Sequence, residues 1–521
     1  MTNPSTLYRG GVLHCPADPS ATALLVSGGR IAWLGTDGDA PPADRVVDLG
    51  GALVTPAFVD AHVHATDTGL ALSGLELSGV RSAAQLLEAV AGFAAGLPAD
   101  AVVLGHGWDE SGWSDATLPD AAALDRAAGG RRVYLSQASI HSALVSSALL
   151  AACPQVGDAA GYDASGWLRR DAHHVVRAAA QGSVSRAQRV AAQRVALAHA
   201  ASLGIAAVHE CGGPEISDEE DFTGLLGISG GGLPEVYGYW GELGGAARAR
   251  ELGAVGAGGD LFADGALGSR TAHVSQPYGD GDGCGHGYVS AEQVRDHLLD
   301  CAAHGMQGGF HAIGDAAIDT VLQGFAAAAR AVGVERLRAA RHRIEHAEIM
   351  SKRLIAGFVE YGVVASMQPA FDRLWGGAGR MYESRLGLDR SLESNPMGAM
   401  HSVGVALAFG SDSPVTPLDP WGSVRAAAAH HNPAQRMSVR SAFAAHTRGG
   451  WRAVHLDVEG VLALGAPATF AVWSTPAGVE RGLPVLLAED PELRGPDDPT
   501  PLPVCRRLVL RGEVIYEEGS S

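Results

Sequence analysis

Strand-like apolar runs alternate with helical stretches through the middle of this chain, and four of the runs end in histidine or aspartate. Strand–helix–strand repeats of this kind build a parallel sheet or barrel. The first run, residues 54–63, carries His62 and stops beside His64. Alternate residues of a strand share one side, so the two imidazoles converge at its end. Further runs cover residues 205–210, 235–240 and 260–264. The fifth ends at His311, the sixth at His346, the seventh covers 363–368 and the eighth ends at Asp412. Residues 186–201, 291–304 and 315–331 carry apolar side chains at helical spacing. Eight such units predict an α/β fold, a (β/α)8 barrel of the TIM type, whose chemistry gathers at the C-terminal strand ends. His62, His64, His311, His346 and Asp412 all fall there.

The flanks read differently. Short strands are expected at residues 11–15, 23–27 and 30–35, with a hairpin turn at Ser27-Gly28-Gly29-Arg30, and again at 468–473 and 508–516. One β-sandwich composed of residues 1–53 and 461–521 is expected around a barrel of residues 54–460. Residues 65–185 read as an insertion covering the barrel mouth. The glycine-rich loop 275–287 is expected to act as a mobile lid.

A formal charge of −19 argues against nucleic acid as a partner, because phosphate binding needs a basic face. No apolar run reaches the roughly 20 residues that span a bilayer, so no membrane partner is expected. The start of the chain lacks a basic stretch followed by a greasy one, so no signal peptide is read there. The six cysteines are scattered without a C-x-x-C pair, which suits a reducing cytoplasm. The expected partner is a small-molecule substrate. A homo-oligomer is compatible with the composition and is not specified by it. Lys352 is the single lysine, so a mechanism needing a lysine elsewhere is excluded.

Neutral imidazoles and carboxylates suit zinc and similar divalent ions. A bound ion of that kind brings the pKa of water toward neutrality. Asp412 can both ligate and accept a proton, then return it to a leaving nitrogen.

Six segments carry a family resemblance: 58–64 (FVDAHVH), 262–272 (FADGALGSRTA), 311–315 (HAIGD), 342–347 (HRIEHA), 366–369 (SMQP) and 410–414 (GSDSP). On these the chain resembles the metal-dependent amidohydrolase superfamily, and more narrowly amidohydrolase family 3, which includes N-substituted formamide deformylase-like enzymes. The resemblance implies a hydrolase acting on non-peptide C–N bonds, with His62, His64, His311, His346 and Asp412 as metal ligands and Asp412 also the base. Alternatives are a deaminase or cyclic-amide hydrolase of the same superfamily, and a catalytically silent metal-binding scaffold. Deaminase relatives place a glutamate where this chain has Gly314. Many relatives also carry a carboxylated lysine, bridging two metals, at the position of Asp260. Two arrangements follow: Asp260 bridges two ions, or one ion is held by His62, His64, His311 and Asp412 while His346 polarises substrate or water. The second is slightly preferred. Glu210 and Cys211 are further candidate ligands.

Other residues have ordinary readings beside functional ones. Asp264 and Arg270 form an ion pair or touch substrate. Trp108 and His141, in insertion segments resembling the family's pocket lining, are substrate-pocket candidates, although tryptophans are as often packing anchors. His342 and His209 read as core histidines, His173-His174 and His430-His431 as surface or loop residues, and Asp315 as a helix cap.

Overall fold

The computed structural model describes residues 4–113, 117–138, 142–490, 493–495 and 497–519. The chain forms two compact units, one of residues 1–65 and 197–521, the other of residues 66–196.

The larger unit contains eight parallel strands in one sheet: β1 (Phe58–Val63), β2 (Ile205–Gly212), β3 (Glu235–Trp240), β4 (Gly256–Ala257), β5 (Gln307–Ala312), β6 (Arg343–His346), β7 (Val364–Met367) and β8 (Ala406–Phe409). They neighbour one another in chain order. The ring closes beyond β8, where the Asp412 amide donates to the His62 carbonyl at 2.8 Å and the His64 amide to Ser413 at 2.9 Å. This is the (β/α)8 barrel expected from the alternation. Every residue of β1, β2 and β5 is buried, which is why these strands read as apolar runs without alternation.

The helices follow from local signals. Ser290 and Gln293 form a reciprocal cap at the start of Ala291–His304. Asp315–Val332 buries Ala317, Ile318, Val321, Leu322, Phe325 and Ala328, one stripe at three-and-four spacing.

Besides a two-strand hairpin at 479–480 and 483–484, the described residues of the same unit form a four-stranded and a five-stranded sheet. One runs 30–35, 23–27, 6–9, 45–48; the other runs 12–13, 53–56, 470–474, 504–510, 513–517, so strands from both chain ends share it. Tyr8, Leu24, Ile31, Val54, Phe470 and Val509 meet in their common core. The strand at 53–56 leads directly into β1, which fixes where the first barrel strand starts.

The fourth strand differs from its sequence reading. Regular pairing covers Gly256 and Ala257, and the expected run at 260–264 contributes a bridge at Phe262 alone. A local irregularity separates the two.

The smaller unit is a five-stranded sheet in the order 167–169, 142–145, 133–137, 103–108, 75–76. Along its middle strand Val133 and Leu135 enter one apolar cluster and Tyr134 the other, as alternation of a two-faced strand requires. His173, expected at the surface, is buried on helix Arg170–Gly182 and bonds the Tyr134 hydroxyl at 2.8 Å.

Candidate metal centre

Six side chains from five strand ends converge in the barrel. Asp412 Oδ1 lies 3.4 Å from His62 Nε2 and 3.2 Å from His64 Nε2. Asp260 Oδ2 lies 3.2 Å from His64 Nε2, and its Oδ1 lies 3.5 Å from His62 Nε2, 3.4 Å from His311 Nδ1 and 3.6 Å from His346 Nε2. The His311 and His346 rings are 4.4 Å apart. Donors held about 2.1 Å from one ion stand about 3–3.5 Å from each other, so these separations suit a shared cation.

Hydrogen bonds outside the cluster fix which nitrogen faces inward. His62 Nδ1 donates to Glu345 Oε2 at 2.9 Å, His346 Nδ1 to Gln368 Oε1 at 2.8 Å, and His311 Nε2 to the Gly265 carbonyl at 3.2 Å. The inward nitrogen of each ring is thereby left with its lone pair. His62 Nε2 and His346 Nε2 are buried without a hydrogen-bond partner among the described residues. Lone pairs aimed at two carboxylates repel unless a cation stands between them. The donor set and these orphaned atoms fit a divalent metal ion.

Without that ion, protons take its place. Burial disfavours the charged imidazole of His64, but hydrogen bonds and charge from Asp260 and Asp412 outweigh it and raise its pKa well above the ordinary value. Burial and Asp260 act in the same opposed way on His311, again with a net rise. Burial works against charge on Asp260 as well, yet His62, His311 and His346 hold its carboxyl well below the usual range.

The backbone here is unusual. His346 has φ 69° and Asp412 has φ 58°, left-handed values that cost energy in a non-glycine residue. Both fall where a strand ends and its side chain turns into the cluster.

A charged network lies beneath. Arg343 is fully buried; its Nε and Nη2 donate to both Glu345 oxygens at 2.5 and 2.9 Å, and Nη2 also donates to Ser366 Oγ at 2.8 Å. Its Nη1 donates to His209 Nδ1 at 3.1 Å, and its guanidinium stands 4.3 Å from the Tyr239 ring centroid. Burial alone would raise the Glu345 carboxyl; Arg343 and His62 hold it below the usual carboxylate range. Glu345 therefore stays an anion that orients His62. Sequence reasoning missed these two residues. The available signal was Arg343 and Glu345 at strand spacing, opposite charges expected on one side of a buried strand.

The remaining candidates are placed as follows. Glu210 Oε2 accepts the Ala65 amide at 2.7 Å. Cys211 groups with His62 and Glu345. Asp264 is fully buried and accepts from the backbone amides of His273, Ile313 and Gly314 at 2.8, 2.9 and 2.8 Å, tying the loop after β4 to the end of β5. Arg270 pairs with Asp280 at 2.9 Å on loop 275–287, not with Asp264. Trp108 is buried in the core of the smaller unit and donates to the Leu135 carbonyl at 2.8 Å. His141 lies outside the described residues. His342 accepts the Gly308 amide at 2.7 Å and burial pushes its pKa down to about 4, as a core histidine would show. His430 and His431, expected at the surface, instead flank the buried Asp372 at 3.2 and 3.1 Å.

A family model described as amidohydrolase family, of the family 3 type, matches residues 45–516. The chain belongs to the amidohydrolase family. Curated relatives of this amidohydrolase include YtcJ of Bacillus subtilis, 28% identical over 277 residues (50% of this chain, 47% of that one). Protein LONG AFTER FAR-RED 3 of Arabidopsis thaliana is 32% identical over 225 residues, 41% of this chain and 38% of its own. The matched stretches span less than half the length of these relatives. Among solved structures, an uncharacterized metal-dependent hydrolase from Pyrococcus furiosus superposes with a TM-score of 0.75 at 24% identity, covering 90% of this chain and 98% of that one. A counterpart from Pyrococcus horikoshii gives 0.73 at 22%, covering 92% and 99%. These likenesses establish the fold. No helix among the described residues is long and apolar enough to cross a membrane.

Proposed function

We propose that this amidohydrolase is a metal-dependent hydrolase that cleaves a non-peptide C–N bond, of the amide or N-substituted formamide type, in a small molecule. The observation that carries the reading is the convergence of His62, His64, His311, His346 and Asp412 with inward lone pairs on three of the rings. These five residues would hold the ion, zinc or a similar divalent metal. When bound, such an ion supplies a Lewis acid and brings the pKa of water toward neutrality.

The chain's own residues do the rest. Hydrolysis puts the water oxygen on the carbonyl carbon and a proton on the departing nitrogen. The Asp412 carboxylate takes the proton from water and returns it to that nitrogen, a role worth about 10²–10⁴ in rate. Glu345 and Gln368 keep His62 and His346 in the required tautomers. The Phe371 ring lies parallel to His346, with centroids 6.0 Å apart.

The test is turnover of a panel of N-formyl amines and small amides, with metal analysis of the same preparation. Formate or another acid released with a free amine supports the reading, and Asp412→Asn is expected to slow that release by about 10²–10⁴. Ammonia release in its place would favour the deaminase. A bound ion with no product across the panel would favour a silent scaffold.

A further inference from the structure

Asp260 occupies the centre of the cluster although its side chain is one of the shortest that can ligate. The backbone explains how it gets there. Ala257 on β4 pairs with Gly308 on β5, and the next bridge joins Phe262 to His311. The β4 side thus advances five residues while β5 advances three. Two residues are extra, which makes this a double bulge, and bulges re-aim side chains beside functional sites. Hydrogen bonds pin both ends: Gly258 donates to the Trp240 carbonyl at 3.0 Å, and His311 donates to Leu261 at 2.9 Å.

The sequence is built for the detour. Gly259 has φ 80°, a conformation that costs a side-chain-bearing residue. A Cβ on Gly258 would lie 2.3 Å from the Gly309 amide nitrogen, and one on Gly241, beyond β3, would lie 3.0 Å from the Asp260 backbone. Bare neighbours therefore let the main chain itself move inward and carry the carboxylate where a long side chain is not available. There one carboxylate reaches all four imidazoles: Oδ2 lies 3.2 Å from His64, and Oδ1 lies 3.5 Å from His62, 3.4 Å from His311 and 3.6 Å from His346.

We propose that the glycine-framed bulge makes Asp260 the bridge between two metal ions, one held with His62, His64 and Asp412, the other with His311 and His346. The bridging carboxylate is part of the chain as synthesised, so the centre assembles without carbon dioxide. The inference rests on the metal-centre reading above and reverses the slight preference for one ion.

The experiment uses the whole chain, stripped with a chelator and reloaded with Co²⁺ alone, once in buffer freed of carbon dioxide and once with bicarbonate. Expected are about two ions per chain in both buffers, as two donor sets imply, with spin coupling between the cobalt ions in electron paramagnetic resonance. Asp260→Asn is expected to lose the coupling and about half the metal while keeping its circular dichroism. Two uncoupled ions in the unmodified protein, a single ion, or loading that depends on bicarbonate would each overturn the bridge. These readouts on the unmodified chain stand even if the variant does not fold. An absence of bound metal under every condition would instead overturn the metal-centre reading on which the bridge depends.

Discussion

The two aspartates of the cluster reach it by opposite routes. Asp412 lies just past the end of β8 with left-handed backbone, φ 58°, yet its amide continues the closing ladder to the His62 carbonyl at 2.8 Å. Asp260 follows a stretch where the ladder fails, between the Ala257–Gly308 pair and the Phe262–His311 bridge. One residue is delivered by register and the other by its interruption. A residue delivered by register inherits its position from the whole barrel, whereas one delivered by a bulge depends on a few glycines nearby.

The largest predicted effect separates the two by function. Asp412→Asn keeps the ladder, since its backbone amide makes the closing bond, and lowers kcat by about 10²–10⁴ through loss of proton transfer. Steady-state kinetics beside a thermal melt reads both. A loss of fold equal to the loss of rate would show that Asp412 acts mainly as a structural closure.

Next comes the support beneath His62. Removing one partner of a buried ion pair costs about 3–5 kcal/mol, so Glu345→Gln is expected to destabilise the protein by about that much as measured by denaturant. It is also expected to weaken metal binding by about 10–100-fold. The double variant Arg343→Met with Glu345→Leu leaves no buried charge unpaired and is expected to recover most of the stability without recovering metal affinity. Recovery of both would mean that Glu345 does not orient His62.

The bulge itself is tested by Gly259→Ala. Forcing a side chain into left-handed backbone costs about 1–3 kcal/mol, and relaxation of the bulge would withdraw the Asp260 carboxylate. Metal content is expected to fall while Asp412 and its ladder remain. Unchanged metal content would show that the glycine serves only the turn.

The dependence on pH follows from the shifted groups. His64 and His311 have folded pKa values raised above the unfolded value of about 6.5. Their contribution is fully present below about pH 6.5 and is lost as pH rises through the folded values. Asp260, whose folded pKa is depressed, contributes above its unfolded value of about 3.9 and loses that contribution as pH falls further. The chelated protein is therefore expected to be most stable between about pH 4 and 6.5 as far as these groups decide it. Metal binding competes with the same protons, so the gain in melting temperature on adding metal is expected to grow from pH 6 to pH 8. A gain that shrinks over that range would contradict the donor assignment.

The smallest effect is expected at Arg270. Its ion pair with Asp280 is largely exposed, and such pairs contribute about 0–1 kcal/mol. Arg270→Ala is expected to change stability little, so any sizeable rise in KM would mark direct contact with substrate.

The same contrast decides how much was legible in the sequence. His62, His64, His311, His346 and Asp412 are legible as a set because each falls at the end of an expected strand and inside a segment that resembles the family's motifs, and the eight expected strands themselves predict the barrel. Asp260, at the position of a familial lysine, reads from the sequence as a possible bridge between two ions, with the one-ion arrangement slightly preferred. Pattern reading placed a regular strand over residues 260–264, since it carries no term for a two-residue interruption; the adjacent Gly258-Gly259 was the available sign. Arg343 and Glu345 escaped for another reason. Their roles come from partners more than 20 residues away, such as Ser366, His209 and His62, and no local period encodes that. Burial of His173 and of the His430–Asp372 pair likewise follows from tertiary packing.

The most direct measurement is anomalous diffraction from a crystal of the metal-loaded protein, recorded on both sides of the zinc absorption edge. Strong anomalous density enclosed by His62, His64, His311, His346 and Asp412 is the predicted result. Density that lies elsewhere, with these five side chains bonded only to one another and to water, would contradict it.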